Sequence, residues 1–501
     1  MPPYTEIVTV PILALLLALS GAPQSAEMAQ RSRAASEAMQ KGRFDDAARI
    51  YGELLQALPN DPGLLMNLGM ALAMGGHEAQ AIPPLERAVK LKPSLAPAQL
   101  FLGSSYLALG AADKAVQPLQ RVIAAEPTNI EYRRMLAQAY VESGKPLDAA
   151  VQLRRLAELA PRLPYAWYTL FHAYNGMAQE AVGTFAEESQ SSAWRDLLVA
   201  DALLADGRFT DAFAIYRDSL EALPRMVSIH DSLATIYERT GHTDWAAVER
   251  RKGVLTPAQC LKRKALCEFR AGRHRAALTA ALAAGDPESR YWRARAATEL
   301  GKDAFAKLDA LPDSRERREL RAAMASADRR HADAVTELKA ALKQAPDDPA
   351  LTARLGVALH ASREYEAAVS TLSPLVAATP PVEDVDVLTA YGDALLQLDR
   401  VDEAIAVLRR AFTADTSDRA ASLALARGYL RKNDFRAALP LLEWQLEGDS
   451  DGSVHVQLAR ALAGMGQQDR ADAMLAKSQE IQRAAQERAA AAGRRTIVPP
   501  K

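Results

Sequence analysis

The chain has 501 residues, which is too long for one ordinary hydrophobic core, so its length predicts several domains or an array of repeats. Hydrophobic residues make up 49% of the chain and charged residues 25%, the profile of a folded, soluble protein. The 61 basic and 62 acidic residues nearly cancel, and this balance argues against a broad nucleic-acid-binding face.

The first segment of the chain is apolar. Residues 7–22 (IVTVPILALLLALSGA) carry no charge, and the run is shorter than the roughly 20 residues that a membrane span needs. Its length suits the apolar part of a secretory signal, although Glu6 and the lack of Lys or Arg before it are atypical. Residues 1–27 are therefore predicted to be a signal peptide or an uncleaved membrane anchor of an exported protein, periplasmic or extracellular. A mis-assigned start would instead leave the protein in the cytoplasm.

Small residues and prolines then recur every 34 residues. Three sets of residues, one of glycines, one of alanines and one of prolines, share this period over four copies: Gly42, Gly76, Gly110 and Gly144; Ala47, Ala81, Ala115 and Ala149; Pro59, Pro93, Pro127 and Pro161. The pattern resembles the tetratricopeptide repeat, a helix-turn-helix unit of this length. The resemblance implies an all-α fold, an α-solenoid that winds about fourteen helix pairs into a right-handed superhelix.

One copy, residues 96–129, shows the physical logic of the unit. Gly110 ends a first helix because glycine tolerates the turn, and Pro127 closes the unit because proline cannot continue a helix. The small Gly103 and Ala115 would let the two helices approach closely. Each pair leaves an apolar face uncovered, so the neighbouring pair is expected to stack on it.

The repeat pattern also sets the predicted domain boundaries. Residues 28–256 form an N-terminal array with a shortened, degenerate copy at 164–192. Residues 257–314 hold divergent helical hairpins, residues 315–492 form a C-terminal array with a capping helix, and residues 493–501 are a disordered tail. The clear copies are 28–61, 62–95, 96–129, 130–163, 193–226, 227–256, 315–348, 349–382, 385–418, 419–450 and 452–485.

Motifs for catalysis are missing from the sequence. It contains no phosphate-binding loop, no HExxH and no GxSxG, and the repeats account for nearly all of residues 28–485. The protein is therefore predicted to be non-enzymatic, with no cofactor and no metal.

Cys260, Cys267 and His274 are spaced seven residues apart. Two residues seven apart on one continuous helix are about 10 Å apart at Cα, too far for a disulfide unless the helix bends. Buried packing thiols and a disulfide between Cys260 and Cys267 are the two alternatives for this pair. A metal or haem carrier that uses the Cys/His segment is the least favoured interpretation.

In the tetratricopeptide family the first helix of each pair lines a concave groove, and the resemblance places protein or peptide partners there. At 100° per residue, the methionines of copy 62–95 lie on a different face from its packing leucines. Methionine is unbranched and polarizable, which suits a surface that adapts to apolar partners. The predicted partner-binding residues are Met66, Asn67, Met70, Met74, Leu100, Ser104, Leu107, Arg134, Gln138, Val141, Tyr165, Tyr168, His172 and Asn175.

Nearer the C-terminus, the same face carries Arg354, Arg427, Arg431 and Arg460, which fits a solvated charged face or an acidic partner. The sequence thus predicts a scaffold or adaptor for protein or peptide partners, with no nucleic acid. Membrane contact is expected only through an uncleaved N-terminal segment. A chaperone-like assembly factor for cell-envelope or secretion machinery is the alternative function.

Overall fold

A computed structural model describes residues 22–187, 192–380, 382–493 and 496–500. The apolar run predicted to be a signal or anchor lies outside these ranges, except for Ala22. The described residues form 27 α-helices and no β-strand, as the all-α prediction requires. No helix among them is long and apolar enough to cross a membrane. The chain divides into two compact units, of which the first ends at Ala160 and the second begins at Pro161.

Unit 1 contains four hairpins of consecutive helices. Its helices are α1 (Ala22–Gln40), α2 (Phe44–Ala57), α3 (Pro62–Met74), α4 (Glu78–Leu91), α5 (Ala96–Ala108), α6 (Ala112–Ala125), α7 (Ile130–Glu142) and α8 (Pro146–Leu159). The Asp61 carboxylate begins α3 by accepting a hydrogen bond from the backbone N–H of Leu64 at 2.8 Å. The chain reverses after α5 at Gly110, whose φ of +69° is a left-handed conformation that favours glycine.

Close approach of the paired helices depends on small residues, as the sequence predicts. Ala115 is fully buried, and a Cβ atom built on Gly103 would lie only 2.7 Å from Cγ of Leu119. The same contact recurs one repeat earlier, where a Cβ on Gly69 would lie 2.4 Å from Cγ of Leu85. Side chains at these two glycine positions would therefore force the hairpins apart.

Unit 2 contains the remaining helices. They are α9 (Pro164–Glu187), α10 (Ser192–Ala205), α11 (Phe209–Ala222), α12 (Ser228–Arg239), α13 (Thr243–Lys252), α14 (Pro257–Lys262), α15 (Lys264–Arg270), α16 (His274–Leu282), α17 (Pro287–Asp309), α18 (Arg315–Ala327), α19 (His331–Gln344), α20 (Pro349–Ala361), α21 (Tyr365–Val376), α22 (Val385–Gln397), α23 (Val401–Ala414), α24 (Arg419–Arg431), α25 (Phe435–Gln445), α26 (Ser453–Gly464) and α27 (Gln468–Gly493).

The two longest helices of the middle region correct the repeat assignment. The degenerate copy predicted at 164–192 is the single helix α9, and it packs along α17, which takes up most of the second hairpin expected within 257–314. The reason is a continuous apolar stripe: α9 buries Ala166, Leu170, Tyr174, Met177, Ala181 and Phe185 at spacings of three and four residues. An uninterrupted stripe of this length favours one long helix over a hairpin.

Helices α10–α13, α15 and α16 lie between α9 and α17 in the sequence and share a core with α17 that contains Tyr216, Tyr237, Tyr291 and Trp292. Helices α18–α27 form five further hairpins around a second core. Among the described residues, twelve hairpins of consecutive helices and the α9–α17 pair replace the fourteen pairs expected.

Residues 496–500 differ from the prediction of a disordered tail at 493–501. Ile497 packs against the core that α10–α17 share, and the Tyr237 hydroxyl donates a hydrogen bond to the backbone carbonyl of Val498 at 2.7 Å. A short apolar segment therefore has a defined position on α12, which composition alone does not reveal.

Candidate functional site

The predicted partner-binding residues of unit 1 lie on the first helix of each hairpin. Met66, Asn67 and Met70 are half-buried, and Met74 at the end of α3 is 41% exposed. Leu65, on the packing face of the same helix, is only 4% exposed. The methionine stripe is thus outside the fully buried core, as its helical phase predicts.

The stripe continues onto neighbouring first helices. Helix α3 packs against α5, and α5 against α7. Leu100, Ser104 and Leu107 of α5 are half-buried, and Val141 of α7 is 44% exposed. We name the apolar part of this surface the methionine face: Met66, Met70, Met74, Leu100 and Leu107.

The polar end of the predicted groove is held on its own helix. Arg134 forms an ion pair with Glu131, with Nε 3.0 Å from the carboxylate, and Gln138 donates to Glu142 at 2.8 Å. Both pairs join neighbours one helical turn apart, so these interactions fix the side chains along α7.

The aromatic residues predicted as a second contact belong to unit 2 and take part in packing. The Tyr168 hydroxyl donates to Glu319 Oε2 at 3.0 Å, and the exposed His172 ring lies edge-on to the Tyr168 ring with centroids 4.5 Å apart. Burial, together with the negative charge of Glu319, raises the pKa of Tyr168 to about 12. Tyr165 and Asn175 are half-buried on the same helix. The structure therefore gives Tyr168 a structural partner in addition to any external one.

Glu319 is a residue that the sequence reasoning missed. Its side chain is 8% exposed and accepts from Arg315 Nε at 2.6 Å and from Arg354 Nη1 at 2.7 Å, as well as from Tyr168. The signal in the sequence was the spacing of the two residues: Glu319 in α18 precedes Arg354 in α20 by 35 residues, one repeat and one position. A buried carboxylate requires cationic neighbours, and these arginines supply them.

A second carboxylate, Asp393 of α22, joins three successive first helices. It accepts from His360 Nε2 and from Arg427 Nη2, both at 2.8 Å. Burial alone would raise the pKa of Asp393, but the hydrogen bond with His360 and the charge of Arg427 outweigh it and lower this pKa. Further along, Arg431 donates to the carbonyl of Leu396, and Arg460 donates to the carbonyl of Leu430 at 3.5 Å.

Each arginine predicted on this face of the C-terminal array therefore has a hydrogen-bond acceptor within the chain. We name the set of interactions across α18, α20, α22 and α24 the ion-pair ladder; it contains Glu319, Arg354, His360, Asp393 and Arg427. The first-helix face of α18–α26 is thus crossed by internal polar contacts, whereas the methionine face is apolar.

Cys260 and Cys267 form a disulfide, which the sequence left open beside the alternative of packing thiols. Their Cα atoms are 5.6 Å apart because the helix breaks at Arg263, between α14 and α15. His274 lies beyond the turn at Gly272 and packs on Phe269. Within the described part of the chain, no group of three His, Cys, Asp or Glu side chains could hold a metal ion.

Family comparisons agree with this architecture. Three family models described as tetratricopeptide repeat match residues 32–96, residues 76–139 and 325–391, and residues 385–428. The chain therefore contains tetratricopeptide repeats within residues 32–139 and 325–428. Such arrays are protein-interaction scaffolds and are generally non-catalytic, so the class supports a scaffold function.

Solved structures of tetratricopeptide proteins resemble parts of the chain. MamA residues 41 to the end from Desulfovibrio magneticus RS-1 is 22% identical over 29% of this chain and 82% of that chain, with a TM-score of 0.28. A crystal structure of MamA is 24% identical over 38% of this chain and 95% of that chain, with a TM-score of 0.27. No curated protein matches the chain.

Proposed function

We propose that this protein is a non-enzymatic adaptor that binds an apolar segment of a partner protein on the methionine face of unit 1. The contrast with the ion-pair ladder carries this proposal. On α18–α24 the first-helix face carries charged side chains that pair with one another, whereas in unit 1 it carries the half-buried Met66, Met70, Leu100 and Leu107 and the exposed Met74.

The chemistry of the methionine face indicates the kind of partner. Thioether and leucine side chains gain free energy when apolar surface covers them, at about 25 cal/mol per Å² of area removed from water. Flexible methionines adapt to side chains of different shape. An amphipathic helix or an extended apolar segment is the partner that such a surface favours, with Arg134 and Gln138 at the polar edge.

We also propose that the protein is exported. The uncharged run at residues 7–22 supports this, and so does the Cys260–Cys267 bridge, since disulfides persist in oxidising compartments and are rare in the cytosol. The N-terminal peptide of the mature protein tests the idea. Cleavage after the apolar run, or an intact run in a membrane fraction, is expected; an intact Met1 in a cytosolic fraction would refute export.

Site-specific photo-crosslinking tests the adaptor proposal. A photoreactive residue at Met66 or Met70 in native cells is expected to capture the same protein from both positions. Val151 is the matched control, because it is 50% exposed on α8, the second helix of a hairpin in the same unit. Purified partner should then bind at least tenfold more weakly to the double variant Met66→Glu/Met70→Glu, with Val151→Glu unaffected. Equal capture or equal weakening at Val151 would refute the proposal.

A chaperone-like assembly factor is the second candidate, because the adaptability of methionine also suits transient binding of several clients. The same crosslinking experiment separates the two functions. An adaptor is expected to give one partner in a stable, stoichiometric complex, whereas an assembly factor gives several clients that are absent from the purified protein.

A further inference from the structure

The segment 496–500 (TIVPP) occupies a groove formed by α11, α12 and α13. The groove is lined by Arg217, Leu220 and Glu221 of α11, Leu233 and Tyr237 of α12, Glu249 and Lys252 of α13, and by Pro500 of the segment itself. Ile497 and Pro500 are half-buried, whereas Val498 and Pro499 between them are exposed. Burial of every third residue is the pattern of a polyproline-type extended segment lying in a groove.

A second groove of the same construction exists in unit 1, between α4 and α6. Its volume is about 580 Å³. Each residue of α11–α13 that lines the first groove has a counterpart 131 positions earlier in the sequence, and that counterpart lines the second groove. Tyr106, for example, corresponds to Tyr237. The seven counterparts are Glu86, Val89, Lys90, Leu102, Tyr106, Pro118 and Arg121. The groove is therefore a product of the repeat geometry, and its lining residues distinguish one copy from another.

The hydrogen-bond partner of the tyrosine hydroxyl distinguishes α12 from three other first helices. In three other copies it pairs with a side chain of the preceding second helix: Tyr106 with Glu86, Tyr140 with Gln120, and Tyr429 with Arg409. The residue at that position before α12 is Arg217, whose guanidinium lies over the Phe213 ring. The Tyr237 hydroxyl donates instead to the backbone carbonyl of Val498. This tyrosine thus recognises a main chain, as a peptide-binding site does.

Glu249, which lines the groove, has two partners within the α12–α13 hairpin. Glu249 is buried between His230, at 2.6 Å, and Lys252, at 2.8 Å. Residues 496–500 are uncharged, and two contacts define their position: the packing of Ile497 and the hydrogen bond of the Val498 carbonyl. The groove therefore fits an aliphatic residue followed three positions later by proline.

We propose that the groove over Tyr237 is a peptide-docking site for an extended aliphatic-x-x-proline segment, and that residues 496–500 occupy it as an intramolecular ligand. A partner segment of the same chemistry must then compete with the chain's own segment. Tethering gives the internal ligand an effective concentration in the millimolar range, so self-occupation weakens the apparent affinity for an external peptide about tenfold or more. This site is separate from the methionine face, and either proposal can be refuted without affecting the other.

Fluorescence anisotropy with an N-terminally labelled TIVPPK peptide tests the proposal. The peptide is expected to bind a variant that lacks residues 496–501 at least tenfold more tightly than it binds the full chain. In the truncated background, Tyr237→Phe should weaken peptide binding, because it removes the donor to the Val498 carbonyl. Tyr429→Phe is the matched control at the same repeat position and should leave the affinity unchanged.

Two further measurements keep the result interpretable. If circular dichroism shows that the truncated chain has lost helix, the full-length variant Ile497→Asp replaces it and should also open the groove to the peptide. Lack of peptide binding to a folded, opened chain would overturn the proposal. Concentration-dependent dimers of the full chain that disappear on truncation would overturn the intramolecular assignment and place the segment in a second copy.

Discussion

Replacement of Gly69 by alanine tests whether close helix approach holds the hairpins together. A Cβ at this position would lie 2.4 Å from Cγ of Leu85 and 3.2 Å from the backbone carbonyl of Ala81. Leu85 is fully buried, so its side chain cannot rotate into open space, and the carbonyl can move only if the whole helix moves. Overpacking of this kind costs about 1–3 kcal/mol, while alanine gains about 0.5–1 kcal/mol over glycine in a helix interior. We expect a net loss of about 1–2 kcal/mol.

Gly52→Ala is the matched control. Gly52 lies inside α2 of the same unit, and nothing would lie within 4 Å of a Cβ there. Alanine should stabilise this helix by about 0.5–1 kcal/mol, mainly by restricting the unfolded chain. Because repeat arrays do not always unfold in one step, urea titration should be combined with hydrogen exchange of peptides from α3 and α4. A Gly69→Ala protein as stable as the wild type would refute the packing argument.

Two further predictions concern unit 2. Asp393→Asn removes the anion between His360 and Arg427 and should cost roughly 1–3 kcal/mol at neutral pH. Because the folded pKa of Asp393 is lowered, its contribution is complete above the unfolded pKa and is lost as the pH falls through the folded one. In acid titrations the stability difference between wild type and variant should therefore begin to shrink near the unfolded pKa, at about pH 4, and vanish only at lower pH. Reduction of the Cys260–Cys267 bridge should destabilise α14 and α15 by about 2 kcal/mol, measured by hydrogen exchange, and unfolded, non-reduced protein should give no free thiol.

The regular part of the fold follows from the sequence because its signals are local. Gly110 marks the turn, Pro127 closes the unit, and Gly103 with Ala115 sets the helix approach, and each works within one 34-residue copy. Phase on a single helix likewise separates Met70 from the buried Leu65. Such features need no knowledge of distant residues.

Features that depend on distant partners were not accessible in the same way. Tyr168 was predicted as an exposed contact, but its hydroxyl meets Glu319, 151 residues further along the chain. The sequence assigns Arg354 to a solvated charged face or an acidic partner, although the carboxylate it binds belongs to the preceding hairpin. Val498 gave no signal at all, because its acceptor role depends on Tyr237, 261 residues away. The pattern of one sequence indicates where helices and turns form, but it does not indicate which distant side chains pair in the folded chain.

The pairing of α9 with α17 has a consequence for synthesis of the chain. In a regular array each hairpin can fold on its neighbour as soon as it leaves the ribosome, whereas α17 begins one hundred residues after α9 ends at Glu187. At about 5–20 residues per second, α9 waits roughly 5–20 s with its apolar stripe unmatched. Until α17 emerges, the nascent chain exposes side chains that are buried in the folded protein, among them Leu170, Met177 and Phe185. This interval is therefore the one in which the nascent chain is most prone to aggregation.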